Sequence, residues 1–267
     1  MDYSKYRFLK VKIAGKIATV SINRPEARNA ISRDVHGELD HIWLELASDS
    51  DVHVIILTGE GHAFSSGGDL KGLAARAGTE DGAQFALALP GIGRRLLNNI
   101  LDVQKPIIAA VNGDAIGLGA TLALVCDISI MALEARIGDP HVRVGVSAGD
   151  GGAIIWPLLV GPARAKEYLM RGLLATGAEA AHMNLVNHAV PATEVLPMAL
   201  KIAEELAQLP PWAVRFTKST INIAIRQQLN LYMDASLAYE ALTMNTNDFG
   251  EGTRAFLERR NPKFTGR

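Results

Sequence analysis

Cysteine is nearly missing from this chain. Cys126 stands alone among 267 residues, so no internal disulfide framework can form, and the usage fits a reducing cytoplasm. Charge excess is missing too: 27 Lys and Arg face 28 Asp and Glu, for a formal net charge of −1. Without a basic stripe or run, the electrostatic footprint of a nucleic-acid partner is excluded. The seven histidines show neither H-E-x-x-H nor paired Cys/His spacing, so no metal site is expected. The N-terminus, MDYSKYRFLKVKIAG, lacks the apolar h-region of a secretory signal. The most apolar stretch, AIGLGATLALVCDISIMAL (115–133), is interrupted by Asp127 and by glycines. It reads as a buried helix followed by a strand, not as a membrane span. A cytoplasmic location with no membrane partner is therefore expected.

What is present suits a globular enzyme. Apolar residues make up 48% and charged residues 21%, enough for a substantial core. Residues 7–13 and 16–22 alternate and meet at Ala14-Gly15, predicting a hairpin. Ser32 is a plausible N-cap for an amphipathic helix running to about residue 48. VIILTG (54–59), PIIAAVNG (106–113) and ISIMA (128–132) read as buried strands. Strand, glycine-rich loop and helix recur, which predicts an α/β fold with mostly parallel strands. After about residue 190 only helical periods remain, in 192–209, 211–225, 228–246 and 248–258. The expected division is an α/β core over 1–190 carrying the active site and a helical region over 191–267.

Two loops follow buried strands: Phe64-Ser65-Ser66-Gly67-Gly68-Asp69-Leu70 and Asn112-Gly113-Asp114-Ala115-Ile116-Gly117-Leu118-Gly119. Such loops free backbone N–H groups to converge on one anionic oxygen, and the second opens a helix whose dipole favours negative charge. A pair of such donors makes an oxyanion hole. A nucleotide site is not indicated, because Leu122 stands where the third glycine of G-x-G-x-x-G belongs and no P-loop lysine is present. Asp69 reads as the cap of the following helix.

The segments INRPEARNAIS (22–32), VIILTGEGHAFSSGGDLK (54–71), KPIIAAVNGDAIGLGATLALVCDISI (105–130), the GDP…GDGG block and FLERRNPKF (256–264) stand in the order of one family. Over nearly its full length the chain resembles the enoyl-CoA hydratase/isomerase (crotonase) superfamily. The resemblance implies a crotonase-like spiral of repeated ββα units with a helical C-terminal region that drives trimerisation, often to hexamers. It also implies an acyl-CoA thioester as substrate, with no cofactor beyond the coenzyme A that the substrate carries. Gly68 and Leu118 would supply the oxyanion-hole N–H groups. Arg28, Ser66 and Gly67 match the edge that binds the CoA moiety, and Lys263 and Phe264 match a C-terminal strip that can reach it, sometimes on a neighbouring subunit.

The stretch GDPHVRVGVSAGDGG (138–152) holds two readings. Gly145-Val146-Ser147-Ala148-Gly149 fits the G-x-S-x-G elbow of serine hydrolases, but too little chain separates Ser147 from the acids and histidines downstream to complete that fold. The second reading is a His141/Asp150 pair. By the resemblance, the two glutamates that hold water in ordinary hydratases align with Thr121 and His141, so both are replaced. Histidine can move protons near neutral pH and threonine cannot. His141 is thus expected as the base or water-activating residue, with Asp150 orienting it. This pair resembles the 6-oxocamphor hydrolase-like branch, which hydrolyses a carbon–carbon bond in β-diketones, whereas the NRPEARNA and SSGGDL segments favour a thioester. The expected activity is acyl-CoA processing through a stabilised thioester enolate. Retro-Claisen hydrolysis of a β-diketone or β-ketoacyl substrate and non-catalytic acyl-CoA binding stand as alternatives. The Gly- and Ala-rich segment 72–95 is expected to cover the acyl pocket.

Overall fold

The alternating N-terminal segments form the expected hairpin in the computed structural model, which describes all residues from 1 to 267. Strand β1 (Leu9–Ala14) pairs antiparallel with β2 (Ile17–Ile22), with Leu9 opposite Ile22 and Ala14 opposite Ile17. Ser32 accepts from the Val35 N–H and starts α1 (Arg33–Ser48), whose apolar stripe Val35, Leu39, Ile42, Trp43 and Leu46 is buried. Every residue of β3 (Val54–Gly59) is buried, as a strand covered on both faces requires.

From β3 onward the chain alternates between two sheets. Strands β3, β5 (Ile107–Val111), β7 (Ile128–Ala132) and β10 (His188–Val190) extend the hairpin into a six-stranded sheet of order β1-β2-β3-β5-β7-β10. Short partners β4 (Ala63–Ser65), β6 (Asp114–Ile116), β8 (Arg136–Gly138) and β9 (Leu174–Thr176) build a four-stranded sheet of order β4-β6-β8-β9. Apart from the β1–β2 and β8–β9 pairs, all pairings are parallel. Helices α2 (Leu70–Arg76) and α3 (Glu80–Asp102) follow β4, α4 (Leu118–Val125) follows β6, and α5 (Gly152–Val160) and α6 (Pro162–Arg171) follow β8. This is the repeated ββα spiral. The short α7 (Gly177–His182) leads from β9 to β10.

The C-terminal region is helical as expected, with one difference. The expected break between 225 and 228 is absent: α9 runs unbroken from Pro211 to Met244, between α8 (Val195–Gln208) and α10 (Asn247–Leu257). No Gly or Pro follows Pro211 within α9, so nothing in its backbone chemistry interrupts the hydrogen-bond ladder. Position 190 marks a change of secondary structure, yet one apolar core spans it. Val195, Ala199 and Ala203 of α8 and Leu229, Met233 and Leu237 of α9 belong to the same buried cluster as the strands. Burying each such large aliphatic side chain contributes roughly 1.5–3 kcal/mol, so α8 and α9 help hold the core together. No helix is long and apolar enough to cross a membrane.

Candidate active site

The parallel pairing of β4 with β6, Ser65 beside Ala115, brings the two glycine loops together. Gly67 has φ +82°, and a Cβ there would lie 2.4 Å from the Ile116 carbonyl oxygen and 3.5 Å from the Leu118 nitrogen. Only glycine allows this approach. Ile31 bridges the first loop: its N–H donates to the Gly67 carbonyl at 2.8 Å, and the Asp69 N–H donates to the Ile31 carbonyl at 3.2 Å. The Gly68 N–H between them has no backbone acceptor. The Leu118 N–H is likewise free of the helix ladder, because Leu118 is the first residue of α4. The positive φ (+54°) falls on Gly117, so leucine at 118 is compatible with the turn. Asp69 accepts from the Gly72 N–H and caps α2 as expected.

His141 opens a short turn after β8, and its ring packs on Gly117, where a Cβ would stand 3.2 Å from Cε1. The ring therefore lies against the turn that opens α4. The structure corrects the expected partnership. His141 Nδ1–H donates a short hydrogen bond to Asp139, whose side chain is fully buried and which also accepts from the His141 backbone N–H at 3.3 Å. Asp150 lies on the other side, its Oδ2 3.7 Å from Nε2. Asp139 thus orients the ring, and Asp150 faces the nitrogen left free. Thr121 donates its hydroxyl to Asp150 Oδ1 at 3.4 Å.

A third acid completes the cluster. Glu240 on α9 is 3% exposed, lines the same cavity, and leaves Oε2 without a partner. Burial alone would lower the His141 pKa, but the charges of Asp139 and Asp150 outweigh it and hold the ring well above the ordinary histidine value. Burial pushes the Asp150 carboxyl up to about 6 against the pull of His141. Burial, reinforced by Asp150, pushes Glu240 well above the usual carboxylate range. Near neutral pH the site therefore favours an imidazolium beside a largely ionised Asp150, and burial biases Glu240 toward its neutral form. Two acids whose environments push their pKa values up to different extents are equipped for different proton-transfer roles.

Asp139, His141 and Asp150 each offer one ligand atom within 4.8 Å of the others, a grouping that could hold a metal ion. The two carboxylates nevertheless face opposite ring nitrogens, whose lone-pair directions diverge. An ion on Nε2 would leave Asp139 bound to Nδ1 as an outer partner.

His141, Asp150 and Glu240 line one cavity of about 1150 Å³, with Asp139 sealed behind them. Its wall includes Gly68, Leu118, His141, Asp150 and, among the expected CoA contacts, Arg28, Ser66 and Gly67. The Arg28 carbonyl accepts from the Ser66 N–H at 2.9 Å, tying that edge together. Lys263 and Phe264 are not in this wall. The Lys263 N–H donates to Glu251 Oε1 at 2.9 Å, and the tail folds along α10. Segment 72–95 does cover the cavity, through Leu73, Arg76, Phe85, Leu89 and Ile92. Ser147 is outside the wall, its Oγ buried and unpartnered, so the elbow reading has no geometry behind it. Sequence reasoning missed Asp139 and Glu240. Asp139 was visible as an Asp-Pro turn residue two positions before His141; nothing in the sequence ties Glu240 to the site.

A family model described as Enoyl-CoA hydratase/isomerase matches residues 12–267. A short-chain-enoyl-CoA hydratase from Clostridium acetobutylicum is 34% identical over 251 residues, covering 92% of this chain and 93% of that protein. A crotonyl-CoA hydratase from Syntrophomonas wolfei is 35% identical over 253 residues, covering 93% and 94%. Among solved structures, an enoyl-CoA hydratase/isomerase from Mycobacterium paratuberculosis is similar with a TM-score of 0.88 at 31% identity, covering 94% of this chain and 99% of that one. With the two glycine loops, the spiral core and these matches in agreement, the chain belongs to the enoyl-CoA hydratase/isomerase family.

Proposed function

We propose that this enzyme hydrates 2-enoyl-CoA thioesters, with a His/Asp pair in place of the two glutamates that the family resemblance implies. The thioester carbonyl accepts from the Gly68 and Leu118 N–H groups, which stabilise the enolate as charge develops on oxygen. The observation that carries this reading is the 3.7 Å gap between His141 Nε2 and Asp150 Oδ2. A water oxygen beside that gap is within hydrogen-bond reach of both atoms. Asp150 takes a proton from the water as its oxygen bonds to Cβ, and the His141 imidazolium gives a proton to Cα. Transfer of the proton from Asp150 to His141 then resets the site. Asp139 holds the ring and its charge throughout. Arg28, Ser66 and Gly67 fit the CoA edge. The exposed Trp212, Phe216, Leu231, Tyr239 and Leu242 of α9 fit burial between copies of a trimer or hexamer.

Retro-Claisen hydrolysis is the second reading, favoured by the Asp139–His141 bond, an arrangement in which the histidine, once deprotonated, activates water for attack on a carbonyl. Turnover of crotonyl-CoA by the wild type and by His141→Ala separates the readings. Hydration that is lost in the variant supports the first. Turnover confined to β-ketoacyl-CoA or cyclic β-diketones replaces it with the second. Binding of CoA thioesters with no turnover of any of these substrates leaves a non-catalytic acyl-CoA-binding protein.

A further inference from the structure

On α1 and α3, His36, Asp40 and Arg95 also line the wall of this cavity. His36 and Asp40 stand four residues apart on one face of α1. Arg95 reaches across from α3, its Nε donating to Asp40 Oδ2 at 3.0 Å, and Asn99 Nδ2 donates to the Asp40 carbonyl at 2.9 Å. Asp40 is 7% exposed, and its Oδ1 is buried with no hydrogen-bond donor. The His36 Nδ1 beside it is 3.8 Å away, too far to bond. Burial lowers the His36 pKa although Asp40 pulls it upward, so the ring is neutral near pH 7 and offers one donor and one acceptor. A buried carboxylate oxygen left unpaired is costly, and here it borders the cavity that holds the acyl chain.

We propose that His36, Asp40 and Arg95 form a subsite that recognises a hydroxyl group on the distal part of the acyl chain. This rests on the acyl-CoA reading above and extends it to a substrate class. Two atoms 3.8 Å apart can share one oxygen placed roughly 2.8 Å from each. A hydroxyl fills that position with the right polarity, donating to Asp40 Oδ1 and accepting from the imidazole N–H. The carboxylate torsion of an aspartate is soft, so Oδ1 turns readily toward the cavity. A methyl group satisfies neither atom, and a carboxylate has no proton to donate to Asp40. Arg95 balances the Asp40 charge, so the subsite attracts a neutral polar group. Because Ile31 bridges Gly68 and α1 starts two residues later, Asp40 lies about 10 Å along the helix from the oxyanion loop. The hydroxyl therefore belongs to a chain of medium length, well away from the thioester.

Saturated acyl-CoAs test this by calorimetry without requiring turnover. The pairs are hexanoyl, octanoyl and decanoyl-CoA against their ω-hydroxy counterparts, with the ω-carboxy eight-carbon thioester as a charged control. At one of these lengths the hydroxylated ligand binds the wild type at least tenfold more tightly than the plain one. Asp40→Leu removes that preference while still binding octanoyl-CoA, which reports on the fold, and His36→Leu is the second variant expected to lose it. Equal affinities at every length, a preference that survives both substitutions, or tighter binding of the carboxylate overturns the proposal. Failure of the wild type to bind any acyl-CoA instead refutes the acyl-CoA reading itself, and the subsite with it.

Discussion

Asp139 and Asp150 flank the His141 ring from opposite sides, Asp139 accepting from Nδ1 and Asp150 facing Nε2 across 3.7 Å. The first carboxylate is sealed from solvent and bonds both the ring Nδ1 and the His141 backbone N–H. The second lies in the cavity wall. One histidine thus stands between a buried acid that bonds it and a second acid that faces its free nitrogen from the cavity wall.

Asp139→Asn tests the holding role. The amide keeps the shape but removes the charge that offsets burial of the imidazolium. Turnover is expected to fall by up to about 10⁴, the loss seen when the orienting aspartate of a catalytic histidine becomes asparagine. The alkaline limb of the pH–rate profile moves to lower pH, and KM for the thioester stays close to that of the wild type.

Asp150 sets the acid limb. Its carboxyl titrates at about 6, so kcat/KM rises through that pH as the base is unmasked. In Asp150→Asn the acid limb disappears along with most of the activity. A wild-type profile flat between pH 5 and 7 would show that another group takes the proton.

Glu240→Gln is expected to be mild for turnover, because burial already biases Glu240 toward the neutral form that the amide imitates. A carboxyl whose folded pKa is raised contributes fully below its unfolded value and loses that contribution as pH rises through the folded one. The glutamine variant therefore melts at the same temperature as the wild type at pH 4 and above it at pH 9. Thermal unfolding across this range checks the sign.

Gly117→Ala carries two penalties. The residue sits at φ +54° and ψ −123°, and the new methyl would meet His141 Cε1 at 3.2 Å. Backbone strain of roughly 1–3 kcal/mol is expected, together with displacement of the ring. Turnover falls while CoA affinity, measured by calorimetry, holds. Ser147→Ala, by contrast, leaves turnover unchanged, and a fluorophosphonate probe does not label Ser147 in the wild type.

Much of the fold was legible because its strands are short apolar runs closed by glycine, a local signal. The glycine loops were legible for the same reason, whereas His141 stood out only through the family resemblance. The unbroken α9 was not: Arg226-Gln227-Gln228 looks like a polar pause, although each is a good helix former. Asp139 was passed over because a turn residue that also bonds a ring cannot be told from one that only turns. Glu240, His36 and Asp40 escaped because their meaning comes from burial against distant segments, which no spacing records.

The stripe Lys218, Asn222, Leu229, Met233, Leu237 and Glu240 is the buried face of α9. Lys218 pairs with Asp127 at 2.7 Å near one end, and Glu240 reaches the His141 cluster near the other. A helix with one register cannot absorb a change in length. Loss of one residue between Leu229 and Glu240 would turn the carboxyl by about 100° out of the site while the Lys218 anchor stayed in place. Within this stretch of helix, then, substitutions are negotiable and residue number is not.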